Sequence, residues 1–194
     1  MKVSRLLGFG GIVMGPGFSG RCLTAACVGA VVSLINVPDA LAQRDVQIKV
    51  TVQRVTAEDN IDPGGRAADF YSKVTIHDAT ERSTVMEGQN DISPNWTFRN
   101  IVTGHGNYGL SIEIWDEDLI IQDEIDVNPQ NSKRRLDLTL NTRTCELTGD
   151  VSGKCDTPII TSGNERQRAK LQFTVKARII DPESIARAMA KRAQ

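Results

Sequence analysis

The sequence has few of the residues that metal-dependent and nucleophilic enzymes most often use. It contains two histidines and four cysteines in 194 residues, and neither His77 nor His105 lies near a serine or cysteine in a nucleophile pattern. A zinc site would need more ligands than remain beside the pair Cys145 and Cys155. Aromatic residues make up only 5% of the chain, and no aromatic platform for a sugar accompanies the acidic residues. We therefore predict no catalytic function.

Neither sign of charge is in large excess. The formal net charge is −1. Three of the 23 basic residues and one of the 24 acidic residues lie within positions 1–42, which leaves a net charge of −3 for the rest. This balance gives no electrostatic case for binding nucleic acid.

The first 42 residues have the pattern of an export signal. Basic residues precede a charge-free, mostly apolar run at 22–37, and the small residues Ala40 and Ala42 stand before Gln43. Signal peptidase cleaves after this pattern. The run is shorter than the roughly 20 apolar residues of a transmembrane helix. We predict a signal peptide over residues 1–42, with an uncleaved membrane anchor as the alternative.

Cleavage of this signal peptide would give an exported chain, periplasmic or secreted, that has no transmembrane segment. Translation from Met1 and translation from Met14 both stay open. The exported chain keeps two cysteines, Cys145 and Cys155. An even pair in an exported protein predicts a disulfide, and two free thiols are the alternative.

Apolar and polar residues alternate with period two along most of the exported chain. The first such run extends from Val46 to Val52 and the longest from Ala169 to Ile179. This pattern is typical of half-buried strands. Turn-rich stretches and no helical pattern separate the runs, which favours an antiparallel sandwich. Further apolar segments lie at 73–76, 96–101, 110–115 and 136–140.

We predict an all-β fold for residues 43–181, an antiparallel eight-stranded β-sandwich. A short C-terminal helix is predicted at 182–194, beginning at Pro182. It carries three basic residues, so contact with an anionic surface is an alternative to packing beside the sheet in water.

Two acidic stretches follow predicted strands and should form loops at an edge of the sandwich. They run over residues 57–71 and 115–126. Asp116 and Asp118, two positions apart where a strand ends, can turn toward one point. Hard divalent cations take six to eight oxygen ligands, and without a cation the like charges would raise one another's pKa. The stretches predict a calcium site, with solvated acidic loops as the alternative.

These stretches resemble those of the C2 domain, the calcium-dependent phospholipid-binding module of synaptotagmins and protein kinase C. Residues 62–71 match its first loop, with two aspartates, intervening glycines and an aromatic strand start, although one extra residue separates the aspartates. Residues 93–98 echo its asparagine-proline-x-tryptophan segment, with serine in the place of asparagine. Residues 115–118 and 123–125 match its third loop. The matches follow the order of the family, and the C2 resemblance implies an eight-stranded sandwich.

The resemblance implies calcium as the cofactor and assigns its ligands. The implied ligands are Asp62, Asp69, Asp116, Asp118, Asp123 and Glu124. Glu124 competes with Asp123 because the third loop is one residue short, and Asp116 is the ligand expected to bridge two ions. Backbone carbonyls at Ile61 or Glu117 would complete the shell, with Asp59 and Asp126 as spare acids.

The resemblance also implies a partner, either an anionic phospholipid or a protein. Leu119, Ile120 and Ile121 lie between the third-loop ligands, where burial in a bilayer interface would contribute about 1.5–3 kcal/mol each. Two of these three folding back into the sandwich is the alternative. No central strand carries a concentrated basic patch of the kind that some family members use for phosphoinositides.

Three functions stay open at this level. The first is an exported calcium-binding C2-like module that docks on phospholipid or a protein through calcium-loaded loops. The second is a structural or adhesive sandwich whose loops calcium stiffens. The third is a secreted hydrolase with an unrecognised site.

Overall fold

The computed structural model describes residues 44–62, 65–118 and 122–181. The predicted signal peptide, the predicted C-terminal helix and Leu119–Ile121 lie outside the described residues. The strands of the described part are β1 (Asp45–Ala57), β2 (Phe70–Ile76), β3 (Ala79–Arg82), β4 (Asp91–Ile92), β5 (Trp96–Thr103), β6 (Asn107–Asp116), β7 (Asp123–Ile125), β8 (Leu136–Asn141), β9 (Glu146–Gly149), β10 (Gly153–Lys154), β11 (Ile159–Ser162) and β12 (Ala169–Ile179). Across these residues there is no helix long and apolar enough to cross a membrane.

The strands form two antiparallel sheets. The first has the order β11-β12-β1-β4, with β5 pairing the remaining length of β1. The second has the order β10-β9-β8-β6-β2-β3, with β7 pairing the end of β6 beside β8. The predicted all-β sandwich is confirmed. The described residues hold twelve strand segments where eight strands were predicted, because short segments such as β4 and β10, two residues each, count separately.

The core lies between the two sheets and follows the period-two pattern. Val46, Ile48, Val50 and Val52 of β1 are 0–1% exposed, and the alternating positions of β6 and β8 are buried with them. Because successive side chains of a strand point to opposite faces, each run contributes one apolar face. β12 departs from the pattern at its last apolar position, where Ile179 is 44% exposed.

The disulfide between Cys145 and Cys155 is present, as predicted. Cys145 follows β8 and Cys155 follows β10, so the bond closes the β9–β10 hairpin over a sequence separation of 10. The N–H of Asp156, the next residue, donates to the carbonyl of Val175 at 2.9 Å. The hairpin of the second sheet is thereby fixed against β12 of the first.

Candidate functional site

Three strands bring the predicted acidic residues to one end of the sandwich. β2 begins, β6 ends and β7 begins there, and Asp116 is paired with Phe70 on one side and with Asp123 on the other. The alternation that buries Ile112 and Ile114 also turns Asp116 inward. Asp116 is therefore 2% exposed and continues the apolar face of β6 with a carboxylate.

Asp116 joins the two predicted loops by hydrogen bonding. Its Oδ1 accepts the N–H of Asp69 at 2.7 Å. The N–H of Glu117 in turn donates to the carbonyl of Asp69 at 2.9 Å. The first and third loops are therefore fixed to each other at these two aspartates.

Four aspartates lie close enough to interact electrostatically at this end. Burial raises the pKa of Asp116, and repulsion from Asp118, Asp62 and Asp69 raises it further. The hydrogen bond from the Asp69 N–H acts in the opposite direction but does not cancel these effects. A bound cation would relieve this repulsion, because opposite charge favours the ionised form of a carboxyl group.

Several of these groups already have partners within the protein. Arg66 lies with its Nε 2.9 Å from Asp62 Oδ2, and Asp69 Oδ1 accepts the N–H of Gly88 at 2.5 Å. Gln167 Nε2 donates to the carbonyl of Ile61 at 3.3 Å and to Asp123 Oδ2 at 3.2 Å. Gln167 thus bridges two groups that were predicted to bind calcium.

Sequence reasoning missed Arg66 and Gln167. Arg66 lies four residues after Asp62, a spacing that could have suggested the ion pair. Gln167 is 106 residues from Ile61 and 44 from Asp123, and no local pattern connects them.

Glu124 does not join the aspartates. It is paired with Trp115, so its side chain is on the opposite face of the second sheet from Asp116 and Asp123. Burial and then repulsion from Glu113 raise the pKa of Glu124, while nearby cations, Lys73 among them, partly offset this. The pleat of β7 therefore places Asp123, and not Glu124, on the face that carries Asp116.

The face that carries Glu124 is a packed aromatic and ionic surface. The Tyr71 and Trp115 rings stack with centroids 6.3 Å apart. Lys73 Nζ lies 3.9 Å from the centroid of Trp115, whose Nε1 donates to Glu113 Oε2 at 2.8 Å. These contacts occupy the aromatic faces and place a cation near the carboxylates of this face.

The two spare acids have other roles. Asp59 lies 3.6 Å from Arg168 in an ion pair. Asp126 is fully buried and accepts three backbone N–H groups, from Asn128 at 2.9 Å, Asn164 at 2.8 Å and Glu165 at 2.7 Å. Asp126 therefore stabilises the connection after β7 and the β11–β12 hairpin, and its oxygens are committed to that purpose.

The donor set fits calcium in its chemistry. Asp62, Asp69, Asp116, Asp118 and Asp123 offer hard oxygen ligands at one end of the fold, as calcium requires. In the described part of the chain, no three Asp, Glu, His or Cys side chains are already arranged as a metal site. Calcium would have to displace Arg66 from Asp62 and Gln167 from Asp123.

Solved structures of similar shape belong to C2 domains and to proteins that contain them. Extended-Synaptotagmin 2, in a calcium-bound structure of a tandem pair of its C2 domains, is 14% identical with a TM-score of 0.50, over 72% of this chain and 48% of that one. A second structure of the same domain pair has the same identity and TM-score over 84% of this chain and 50% of that one. Human GIVD cytosolic phospholipase A2 is 12% identical with a TM-score of 0.50, over 72% of this chain and 17% of that one.

These similarities define the fold. The chain has a C2-like fold, and it spans half or less of the length of these three structures. Neither a protein-family model nor a curated protein sequence matches it.

Proposed function

We propose that this protein is an exported calcium-binding C2-like module whose acidic loops bind calcium and then dock on anionic phospholipid or a protein. The observation that carries the proposal is that Asp116 is buried, accepts the N–H of Asp69, and lies close enough to Asp62, Asp69 and Asp118 for their charges to raise its pKa. Like charges around a buried carboxylate are unfavourable without a cation. The C2-like fold and the calcium-bound Extended-Synaptotagmin 2 structure support the same reading.

Asp62, Asp69, Asp116, Asp118 and Asp123 would hold the ion. Calcium, when bound, supplies positive charge that inverts the local field of the acidic end. Asp116 ties the first loop to the third, so a change at one loop is transmitted to the other. Leu119, Ile120 and Ile121 follow Asp118 directly in the sequence, and docking would place them in a bilayer interface.

Export belongs to the same proposal. The leader pattern over residues 1–42 supports it, and so does the Cys145–Cys155 disulfide, because disulfides persist in oxidising compartments. Outside the cell calcium can be abundant, so the site would be filled without an intracellular signal. The exported module would then begin near Gln43.

The proposed module is not an enzyme. His77 follows the end of β2, packs edge-on against Tyr108 with ring centroids 5.4 Å apart, and lies at the opposite end of the strand from the aspartates. His105 lies between β5 and β6 at that same distant end. Neither histidine is placed to act with the acidic groups.

A structural role for calcium is the second candidate function. Asp116 and Asp69 already join two loops by a backbone hydrogen bond, so an ion bound there would stiffen the same connection. In this reading calcium holds the loops of an adhesive or structural sandwich, and no lipid is bound.

Calcium titration of the purified chain by isothermal calorimetry tests the proposal. We expect one or more calcium ions to bind, and Asp116→Asn with Asp118→Asn to weaken the affinity by at least about tenfold (about 1.4 kcal/mol), because affinity depends on the number of charged oxygen ligands. Asp137→Asn with Glu146→Gln is the matched control, because both residues lie away from the acidic end on β8 and β9. No heat of binding by the parent chain would refute the proposal.

Cosedimentation with vesicles of phosphatidylserine and phosphatidylcholine separates the two candidate functions. Docking predicts binding in calcium and release in EGTA, with Asp116→Asn plus Asp118→Asn inactive. Calcium binding without vesicle binding would instead support the structural candidate or a protein partner.

A further inference from the structure

The outer face of the first sheet carries a row of basic side chains. In the register of the sheet, Lys49 of β1 lies directly opposite Lys176 of β12 and directly opposite Arg99 of β5. Arg178 lies two positions beyond Lys176, opposite Gln47. Because neighbouring strands are about 4.8 Å apart, the Cα atoms of Arg99, Lys49 and Lys176 lie within about 10 Å of one another.

These residues line a concave site. A cavity of about 180 Å³ is lined by Gln47, Lys49, Arg99, Lys176 and Arg178, and we call it the basic cleft. Four of its five lining residues are cations. Like charges directly opposite on neighbouring strands destabilise a sheet. The row of cations therefore lowers the stability of the fold unless a negatively charged group binds beside it.

One carboxylate supplies part of that negative charge. Asp156 Oδ1 lies 2.6 Å from Lys176 Nζ, and the hydrogen bond with Lys176 is the main cause that lowers the pKa of Asp156, with attraction from Arg178 and Lys49 contributing. Among the ion pairs of the described residues, this is the one that involves the basic cleft. One carboxylate beside four cations leaves a net positive site.

The position of the basic cleft and the side chains around it indicate which class of ligand it binds. Lys49 lies eight residues before the end of β1, about 26 Å along the strand from the acidic end, so the calcium loops do not form it. The neighbouring row toward that end consists of Thr97, Thr51 and Thr174. Hydroxyl and amide groups beside cations suit an oxyanion in water. The exposed apolar side chain beside the cleft is Ile101, which is opposite Gln47 and 53% exposed. One isoleucine is less than the apolar or aromatic face that a bilayer-binding surface presents.

We propose that the basic cleft binds a soluble ligand through a multiply charged phosphate group, independently of calcium. Lys49, Arg99 and Arg178 donate to its oxygens, and Lys176 joins them when it leaves Asp156. Asp156 is an internal competitor for the same cations. The Cys145–Cys155 disulfide, adjacent in sequence, and the bond from the Asp156 N–H to Val175 hold this competitor in place.

Calorimetric titration of the purified chain with inorganic pyrophosphate in EGTA tests this proposal. Lys49→Gln with Arg99→Gln should weaken binding by at least about tenfold, because charge-assisted hydrogen bonds are lost. Arg143→Gln with Arg166→Gln, which removes two exposed cations elsewhere, should leave the affinity within about twofold. The affinity of the parent chain should fall as salt is raised.

Asp156→Asn provides a test of opposite sign. It removes the competing carboxylate from an exposed position and should tighten pyrophosphate binding by about threefold or more, whereas Asp137→Asn should not. The proposal would be overturned if neither the parent chain nor Asp156→Asn bound pyrophosphate. Binding to vesicles of phosphatidylglycerol in EGTA, lost in Lys49→Gln with Arg99→Gln and without pyrophosphate binding, would also overturn it, in favour of a lipid surface.

Discussion

Replacing Asp126 by alanine is expected to lower the free energy of unfolding by about 3 kcal/mol or more. The substitution removes the acceptor for the N–H groups of Asn128, Asn164 and Glu165, and each buried donor left without a partner costs about 1–3 kcal/mol. Asp126 is fully buried, so water has little access to replace it. Urea unfolding of parent and variant measures the difference.

Two further variants make this expectation specific. Asp126→Asn keeps one acceptor oxygen and should lose less stability than Asp126→Ala. Asp137→Ala removes an exposed carboxylate paired with Arg135, and surface pairs of this kind are worth about 0–1 kcal/mol. A loss below about 1 kcal/mol in Asp126→Ala would contradict the structural role assigned to this carboxylate.

The backbone of Asp126 is also closely packed against the β11–β12 hairpin. A Cβ atom on Gly163 would lie 2.2 Å from the carbonyl oxygen of Asp126. No side chain larger than hydrogen fits there without a backbone shift. The approach of the β11–β12 hairpin to Asp126 therefore depends on glycine at position 163.

Asp116→Asn is expected to have opposite effects on stability with and without calcium. In EGTA at pH 7 the variant should be more stable than the parent. Because the pKa of Asp116 is raised on folding, the folded protein binds the proton more tightly than the unfolded chain, and parent stability falls as pH rises from the ordinary aspartate range through the raised pKa. Asparagine removes the charge and keeps an oxygen to accept the Asp69 N–H.

Calcium should reverse this order. At a concentration of about one hundred times the dissociation constant, calcium adds about 2.7 kcal/mol to the stability of the parent and much less to that of the variant. Thermal unfolding of both proteins in EGTA and in calcium measures the four values. An equal calcium effect on parent and variant, or a variant that is less stable in EGTA at pH 7, would contradict this account.

The strands and the acidic end could be predicted from the sequence because both depend on local pattern. Period-two alternation marks the buried face of β1, β6 and β8, and the ends of consecutive strands meet at one end of a sandwich. Asp116 follows Ile114 by two positions, so the same alternation that buries the isoleucine also buries the carboxylate.

The partners of these groups could not be predicted because they come from distant parts of the chain. The bridge from Gln167 to Ile61 depends on the pairing of β1 with β12. The face occupied by Glu124 depends on the register of β7 against β6, which a one-residue shift would invert. The three-residue strand β7 is too short to show that register in its sequence.

The basic cleft was missed for a similar reason. The sequence analysis expected no concentrated basic patch on a central strand, yet β12, which lies between β11 and β1 in the sheet order, contributes both Lys176 and Arg178 to the cleft. The cleft forms because three strands, distant in sequence, each place cations in adjacent rows of one sheet face.

The most direct test of the calcium proposal is a calcium titration of the ¹⁵N-labelled chain followed by amide NMR. The amide N–H of Asp69 donates to Asp116 Oδ1, so it reports on the carboxylate at the centre of the proposed site. The account predicts large shifts at Asp69, Glu117 and Asp118 on calcium binding, with the amides of Asn164 and Glu165 at Asp126 unchanged. Unchanged amide signals at Asp69 and Asp118 at millimolar calcium would contradict it.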